Sequence, residues 1–163
     1  MTISKRLIVT VALLVIVLGG VTLAYASGES KTNAADAAPE IEGTWLAIIT
    51  VPDGPPPFPS LVTYARGGAV IVTDSSGPPA VGNVYQGTWT KSGPHEFTFT
   101  FMGFMYDGTG ALAGYFKAHE TVTLEPGGDA YNGVSQGEIF DIDMILIAQG
   151  SGTSHATRIP ADE

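Results

Sequence analysis

The stretch EFTFTFMGFMYDGTGALAGYFKAHETVTL, residues 96–124, carries the pattern that decides the fold. In its first part, Phe97, Phe99 and Phe101 alternate with threonines. Successive side chains of a β-strand point to opposite faces, so this period of two predicts a strand with one aromatic face. The Asp-Gly-Thr-Gly sequence that follows favours a tight turn, and a second alternating stretch comes after it. The stretch therefore predicts two antiparallel strands joined by a turn.

The same alternation extends in both directions from this hairpin, beginning near Glu40. Short apolar–polar stretches are separated by Gly, Pro, Asp and Asn. None of them keeps a period of about 3.6 residues over the length that a helix needs. We predict eight strands, the last of which contains a Gly-rich segment, residues 150–153, that could interrupt it. Their bounds are about 41–51, 60–66, 69–74, 83–91, 96–106, 112–124, 130–141 and 144–159.

Short turns between consecutive strands indicate a meander, and a meander of eight strands is long enough to close into a barrel. We therefore predict an all-β fold, an eight-stranded antiparallel up-and-down barrel. An open sandwich of two sheets is the alternative that the same periodicity permits.

The first 26 residues have the organisation of a secretory signal peptide. Lys5 and Arg6 precede an apolar run at residues 7–18, and an Ala-Tyr-Ala sequence ending at Ala26 supplies the pattern that signal peptidase recognises. The apolar run is shorter than the roughly 20 residues that span a bilayer, which favours cleavage over an uncleaved membrane anchor. We expect an exported protein, periplasmic or extracellular, that contacts the membrane only through this segment.

Residues 27–39 are small or polar and have no apolar period, which is typical of a flexible linker, and we predict that the folded domain spans residues 40–160. The chain has no cysteine, so no disulfide can stabilise the domain. Cleavage after Ala26 would leave five basic residues against all 16 acidic residues, a formal net charge of −11. Such a surface repels phosphate groups, and we expect no nucleic-acid partner.

Gly43-Thr44-Trp45 stands at the start of the first predicted strand, and Thr157-Arg158 stands at the end of the last. Together they resemble the lipocalin (calycin) pattern, in which a Gly-x-Trp opens the first strand and a basic residue on the last strand packs across the Trp ring. The resemblance covers most of the chain from residue 40 to 159 and is nearest to short exported bacterial proteins of lipocalin-like type. It implies that Trp45 and Arg158 close the base of the barrel, with a cation–π contact that contributes about 0.5–2 kcal/mol.

In lipocalins the loop between the first two strands covers the open mouth of the barrel, and the segment PDGPPPFP, residues 52–59, has the same position in this chain. Pro55, Pro56, Pro57 and Pro59 limit its freedom, so the resemblance implies a stiff lid with Phe58 at its tip. We expect Phe58, Phe97, Phe99 and Phe101 to contact a small hydrophobic ligand inside the barrel. A filled interior, capped by Phe58, is the structural alternative.

Glu120 is the candidate for polar chemistry inside the barrel. The alternation places it with Phe116, Ala118 and Val122 on the predicted inner face. A carboxylate among apolar groups is costly unless it is hydrogen-bonded, and its pKa can rise. Glu120 could bind the polar part of a ligand, act as the acid or base of an isomerase or cyclase for an apolar substrate, or bond to a Tyr hydroxyl or Arg158 as a structural group.

The sequence contains no G-x-S-x-G, P-loop or dinucleotide-binding motif. His95, His119 and His155 are scattered and lack metal-ligand spacing, so we predict no metal and no cofactor. A ligand-binding barrel is therefore favoured over an enzyme. A barrel isomerase or cyclase, and a structural or interaction module with a filled core, are the alternatives. The sequence leaves the identity of the ligand and the oligomeric state open.

Overall fold

The computed structural model describes residues 40–77 and 84–161. These include the whole of the predicted domain apart from residues 78–83. The predicted signal peptide, the predicted linker and Asn83, the first residue of the predicted fourth strand, lie outside the described residues.

Each of the eight stretches with an alternating pattern forms a strand, and the described residues contain no helix. Three strands (β3, β5 and β6) have the predicted bounds, and the others end within one or two residues of them. The strands are β1 (Gly43–Thr50), β2 (Phe58–Tyr64), β3 (Ala69–Asp74), β4 (Val84–Lys91), β5 (Glu96–Tyr106), β6 (Leu112–Leu124), β7 (Ala130–Phe140) and β8 (Leu146–Arg158).

Every strand pairs antiparallel with the next one in the chain, and β1 also pairs with β8. The sheet therefore closes into a barrel. This confirms the all-β, eight-stranded antiparallel barrel and excludes the open two-sheet sandwich. The architecture fits a calycin-like fold in general terms.

The last strand, β8, is continuous through residues 150–153, where the sequence suggested an interruption. Gly150 pairs with Gly137 of β7, and Gly152 pairs with Ser135. A glycine retains its backbone N–H and C=O, so it can take part in the ladder of hydrogen bonds although it has no side chain to pack. The small residues of this segment therefore mark a place where little side-chain volume enters the barrel, not a turn.

Aromatic side chains fill the base of the barrel, which we define as the end where β1 begins and β8 ends. Trp45, Tyr64, Phe97 and Tyr131 are all fully buried there. The ring centroids of Trp45 and Tyr131 are 5.0 Å apart, and those of Tyr64 and Tyr131 are 6.3 Å apart. Such pairs stabilise a fold by about 0.5–1.5 kcal/mol each beyond the burial of their surface. Because the base is packed, open space inside the barrel lies toward the opposite end, the mouth.

Candidate functional site

Arg158 lies across the indole ring of Trp45 at the base. The guanidinium carbon is 4.2 Å from the ring centroid, and the two residues are direct partners in the pairing of β1 with β8. The guanidinium group donates hydrogen bonds to the backbone oxygens of Glu40, Glu42 and Gly128. One side chain thus joins the start of the domain, the last strand and the turn between β6 and β7.

Gly43, two residues before Trp45, makes room for this arrangement. Its φ of +124° is a conformation that residues with a Cβ rarely adopt, and an added Cβ would lie 2.9 Å from Nη1 of Arg158. The indole Nε1 of Trp45 donates a hydrogen bond of 2.9 Å to the backbone oxygen of Ile41. The ring is therefore fixed by Arg158 over its face and by Ile41 at its edge. Trp45 and Arg158 are structural residues of the base, and neither lines the cavity.

A cavity of about 310 Å³ lies between the packed base and the mouth. One water molecule needs roughly 10–15 Å³ measured in a comparable way, so the volume exceeds what a few waters occupy. The interior is therefore not filled by side chains. The lining is mainly apolar, and its polar side chains are those of Ser60, Asp74, Glu120, Tyr131, Ser135, Gln149 and Ser151.

One side of this cavity is built from Phe99 and Phe101 of β5 and Phe116 of β6, which we call the aromatic wall. The rings of Phe99 and Phe101 are stacked, with centroids 5.8 Å apart and planes inclined by 21°. The centroids of Phe101 and Phe116 are 6.2 Å apart. These contacts hold the three rings in a fixed surface that a flat apolar molecule can contact.

A second side, contributed by β7 and β8, has little side-chain volume along its middle. The small residues that line the cavity there are Ser135, Gly137, Ala148, Gly150 and Gly152, which we call the small-residue wall. Ile139, Gln149 and Ser151 of the same strands also line the cavity. An added Cβ at Gly150 would meet no atom within 4 Å. The space between this wall and the aromatic wall is empty because these positions carry nothing larger than a hydroxymethyl group.

Glu120 lies inside the barrel, at the inner end of the cavity, and is only 6% exposed. The hydroxyl of Ser154, also buried, donates a hydrogen bond to its Oε1 atom. Burial raises the pKa of the Glu120 carboxyl from its ordinary 4.5 to about 7, and the hydrogen bond from Ser154 opposes part of this rise. The carboxyl group therefore exchanges a proton near neutral pH.

Gly133 of β7 allows Glu120 and Ser154 to meet. A Cβ at this position would collide with the side-chain oxygens of both residues. Gly133 is not among the residues with a positive φ, so its backbone conformation does not require glycine. Glycine is required because the side chains of Glu120 and Ser154 approach its Cα closely.

Two tyrosines lie deeper than Glu120, next to its carboxyl group. Tyr131 lines the cavity, whereas Tyr64 lies behind it and does not. Both hydroxyl oxygens are buried, and neither has a hydrogen-bond partner of acceptable geometry among the described residues. Burial is the main cause that raises the pKa of both phenols above the ordinary value. At Tyr64 the neighbouring Tyr131 hydroxyl and then the Glu120 carboxylate add to the rise in pKa, whereas at Tyr131 Glu120 adds to it and the Tyr64 hydroxyl opposes part of it. Both hydroxyls therefore keep their protons. We call Glu120 and Tyr131 the floor of the cavity.

The structure brings together most of the residues that the sequence singled out for ligand contact. Phe99, Phe101 and Glu120 line the cavity, and so does Phe58, which is half-buried near the mouth. Phe58 is not at the tip of a lid, however, because it pairs with Ile49 as the first residue of β2. Phe97 shares the inward face of β5 but packs against Trp89 at the base, with ring centroids 5.9 Å apart, and does not line the cavity.

Sequence reasoning missed Tyr131, Ser154 and the small-residue wall. Their signal was present in the chain, since residues 148, 150, 152, 154 and 156 are Ala, Gly, Gly, Ser and Ala at alternate positions of one strand. A period of two in side-chain size, as well as in polarity, predicts a strand face that leaves room.

Within residues 40–77 and 84–161, no group of three or more His, Cys, Asp or Glu side chains is arranged to hold a metal ion. The same described residues contain no helix that is long and apolar enough to cross a membrane.

Comparisons with protein families, with curated proteins and with solved structures found no match to this chain. Its function is therefore inferred from the residues of the cavity.

Proposed function

We propose that this protein is a lipocalin-like barrel that binds a small hydrophobic molecule in its interior. The observation that carries the proposal is the cavity of about 310 Å³ with a mainly apolar lining. Pockets for small ligands have volumes of roughly 300–1,000 Å³ and are lined mostly by apolar and aromatic side chains. A small apolar molecule would fit this space and would remove its lining from contact with water.

Each part of the lining supports this function in a different way. The aromatic wall offers three fixed rings for contact, and the small-residue wall supplies the room that a ligand occupies. Phe58 lies near the mouth, where it can contact a bound molecule and shield it from water. Because the base is packed, a ligand would enter and leave through the mouth.

The test is to fill the cavity without changing the rest of the barrel. Gly150→Leu places a large side chain in open space on the inner face of β8. Thr153→Leu is the matched control, because it adds the same side chain to an exposed position of the same strand that does not line the cavity. Binding is measured with N-phenyl-1-naphthylamine, a neutral probe that becomes fluorescent in apolar surroundings.

We expect one probe molecule per barrel in the unchanged protein and in Thr153→Leu, and at least about tenfold weaker binding in Gly150→Leu, a loss of about 1.4 kcal/mol. Native mass spectrometry with a panel of lipids, quinones and pigments extends the search to other ligands. The proposal is wrong if the unchanged protein binds neither the probe nor any member of the panel.

Catalysis is a second candidate function, and the position of Glu120 favours it. A carboxyl group with a pKa of about 7 beside an apolar cavity is suited to general acid–base chemistry. In an isomerase or cyclase, the Glu120 carboxylate would remove a proton from one carbon of the substrate and return it to another, with no oxidant or reductant. Proton NMR of a bound apolar ketone in D₂O tests this, because catalysis exchanges protons next to the carbonyl and Glu120→Gln abolishes the exchange. A rate equal to that in buffer alone would exclude it.

We also propose that the protein is exported after cleavage behind Ala26 and that nucleic acid is not its partner. The support is the order of basic, apolar and small residues before this position and the formal net charge of −11 after it. The intact mass of the protein recovered from its producing cell distinguishes cleavage from an uncleaved anchor. A mass that includes residues 1–26 would contradict the proposal.

A further inference from the structure

The floor of the cavity contains a hydrogen-bond donor that has no acceptor of good geometry among the described residues. Tyr131 is fully buried and lines the cavity, and its hydroxyl is the accepting side of its interaction with the neighbouring Tyr64 hydroxyl. The hydroxyl of Ser154 is already used, since it donates to Glu120. A buried polar group without a partner is costly, and native structures nearly always satisfy such groups with protein, water or a ligand.

We propose that the floor binds the carbonyl oxygen of an otherwise apolar ketone or aldehyde, which accepts hydrogen bonds from the Tyr131 hydroxyl and from the protonated carboxyl group of Glu120. This inference rests on the proposed function, because it names the chemical class of ligand for the same cavity. The hydrocarbon part of the ligand lies between the aromatic wall and the small-residue wall.

The two donors of the floor select the polar group of the ligand. A carbonyl oxygen has two lone pairs and no proton of its own, so it can accept both hydrogen bonds at once. An ammonium group has only donors and would leave the Tyr131 proton without an acceptor. A carboxylate would bring a negative charge into a cavity whose described lining contains no Lys or Arg, so the cost of removing that charge from water would not be offset by a cation.

The protonation state of Glu120 makes this recognition sensitive to pH. Ser154 faces Glu120 from β8, Tyr131 faces it from β7, and Tyr64 from β2 lies behind Tyr131. Asp74 of β3, nearer the mouth, is the other carboxyl group of the lining and interacts with Tyr85. Because both tyrosines remain neutral and the pKa of Glu120 is about 7, Glu120 changes from donor to acceptor near neutral pH. Binding of a ketone should weaken above this pH.

Three naphthalene probes of nearly equal shape test the proposal at pH 6. They are 2-acetylnaphthalene, 2-isopropenylnaphthalene, in which a CH₂ group replaces the carbonyl oxygen, and 2-(1-aminoethyl)naphthalene, each titrated by calorimetry. We expect the ketone to bind about tenfold more tightly than the alkene, the effect of one to two net hydrogen bonds. The infrared C=O stretch of the bound ketone should shift to lower wavenumber than in hexane.

Tyr131→Phe and Tyr64→Phe are a matched pair of variants, because both remove a buried hydroxyl and the contact between the two hydroxyls, and only Tyr131 lines the cavity. We expect Tyr131→Phe to bind the alkene normally, to lose most of the preference for the ketone and to reduce the infrared shift. Tyr64→Phe should retain the preference and the shift. Normal binding of the alkene shows that each variant is folded.

The outcomes separate this inference from the proposed function. Equal binding of ketone and alkene by the unchanged protein, or tightest binding of the amine, would overturn the inference and leave the ligand-binding function intact. Failure of all three probes to bind would count against the function itself. If Tyr131→Phe does not fold, the pH profile decides. The preference for the ketone should decrease above pH 7 in the unchanged protein and stay constant in Glu120→Gln, and a flat profile in both would overturn the inference.

Discussion

The aromatic wall and the small-residue wall belong to the same sheet and follow the same period of two, yet they do opposite things. On β5, Phe99 and Phe101 are 2% and 8% exposed and stack on each other. On β8, Gly150 and Gly152 contribute no side chain at all. The comparison teaches that the alternation of apolar and polar residues determines that a barrel forms. The size of the inward side chains determines whether its interior is filled. The packed ring contacts and the open space of the cavity are therefore located on different strands.

The largest effect is expected from removing volume on the aromatic wall. Phe99 is buried against Tyr64, with ring centroids 5.2 Å apart, and against Phe101. Phe99→Ala should lower the free energy of unfolding by about 3–5 kcal/mol, because the contacts of a buried ring are lost and a new void remains. Urea unfolding measures the loss. Phe104→Ala on the same strand is the control, since Phe104 is 56% exposed and its loss should cost less than about 1 kcal/mol. Equal costs would contradict the difference between packed and unpacked positions.

The next effect concerns Glu120, which pairs with Phe99 on one side and Ser135 on the other and so joins the two walls. Its pKa is raised by burial from 4.5 to about 7, so the folded state binds the proton more tightly than the unfolded state. This contribution to stability is complete below pH 4.5 and is lost as the pH rises to 7, an amount of about 3 kcal/mol. Glutamine stays neutral, so the stability of Glu120→Gln relative to the unchanged protein should rise across this range. Urea unfolding at pH 4.5, 6 and 7.5 measures it, and parallel profiles would show that Glu120 does not titrate in this way.

A smaller effect is expected where the small-residue wall approaches the floor. Gly133→Ala would place a methyl group against the side-chain oxygens of Glu120 and Ser154, which must separate to accept it. We expect a loss of about 1–3 kcal/mol in the free energy of unfolding, which is typical of overpacking a filled site. Thermal unfolding followed by circular dichroism measures the change. A variant as stable as the unchanged protein would indicate that the contact between Glu120 and Ser154 does not support the fold.

The smallest effect has the opposite sign. Gly150→Ala adds the same methyl group to the same wall, but at a position where no atom lies within 4 Å. Because glycine weakens a strand relative to alanine, we expect the free energy of unfolding to rise by about 0.5–1 kcal/mol. The same thermal experiment applies. A clear loss of stability would mean that the space beside Gly150 is closed in solution.

Most of the fold could be predicted from the sequence because its signals are local. The bounds of β3, β5 and β6 follow from alternation and from turn residues alone. The pairing of β1 with β8 is not local, but Gly43-Thr44-Trp45 and Thr157-Arg158 indicated it through the resemblance to lipocalins. The inward position of Glu120 followed from the period of two on β6.

The site could be predicted only in part, because depth within the barrel depends on register between strands. Phe97 and Phe99 have the same chemistry and the same face, yet Phe97 lies at the packed base and Phe99 lines the cavity. The position of Phe58 depends on whether its backbone pairs with β1. The prolines that precede it indicated a loop and gave no sign of this pairing. Residues 150–153 suggested a loop because glycine is common in turns, and their role in β8 follows only from their partners on β7.

The contact of Arg158 with Trp45 bears on aggregation as well as on the fold. The outer face of the first three strands carries Leu46, Ile48, Leu61 and Ile71, each more than 40% exposed, so β1 is apolar on both faces. In the ring of described strands, the backbone groups of β1 are paired on both sides. If β1 and β8 separated, an apolar strand with unpaired N–H and C=O groups would be free to pair with the same strand of another molecule. By holding β1 and β8 together at the base, the contact of Arg158 with Trp45 keeps these backbone groups paired within the barrel.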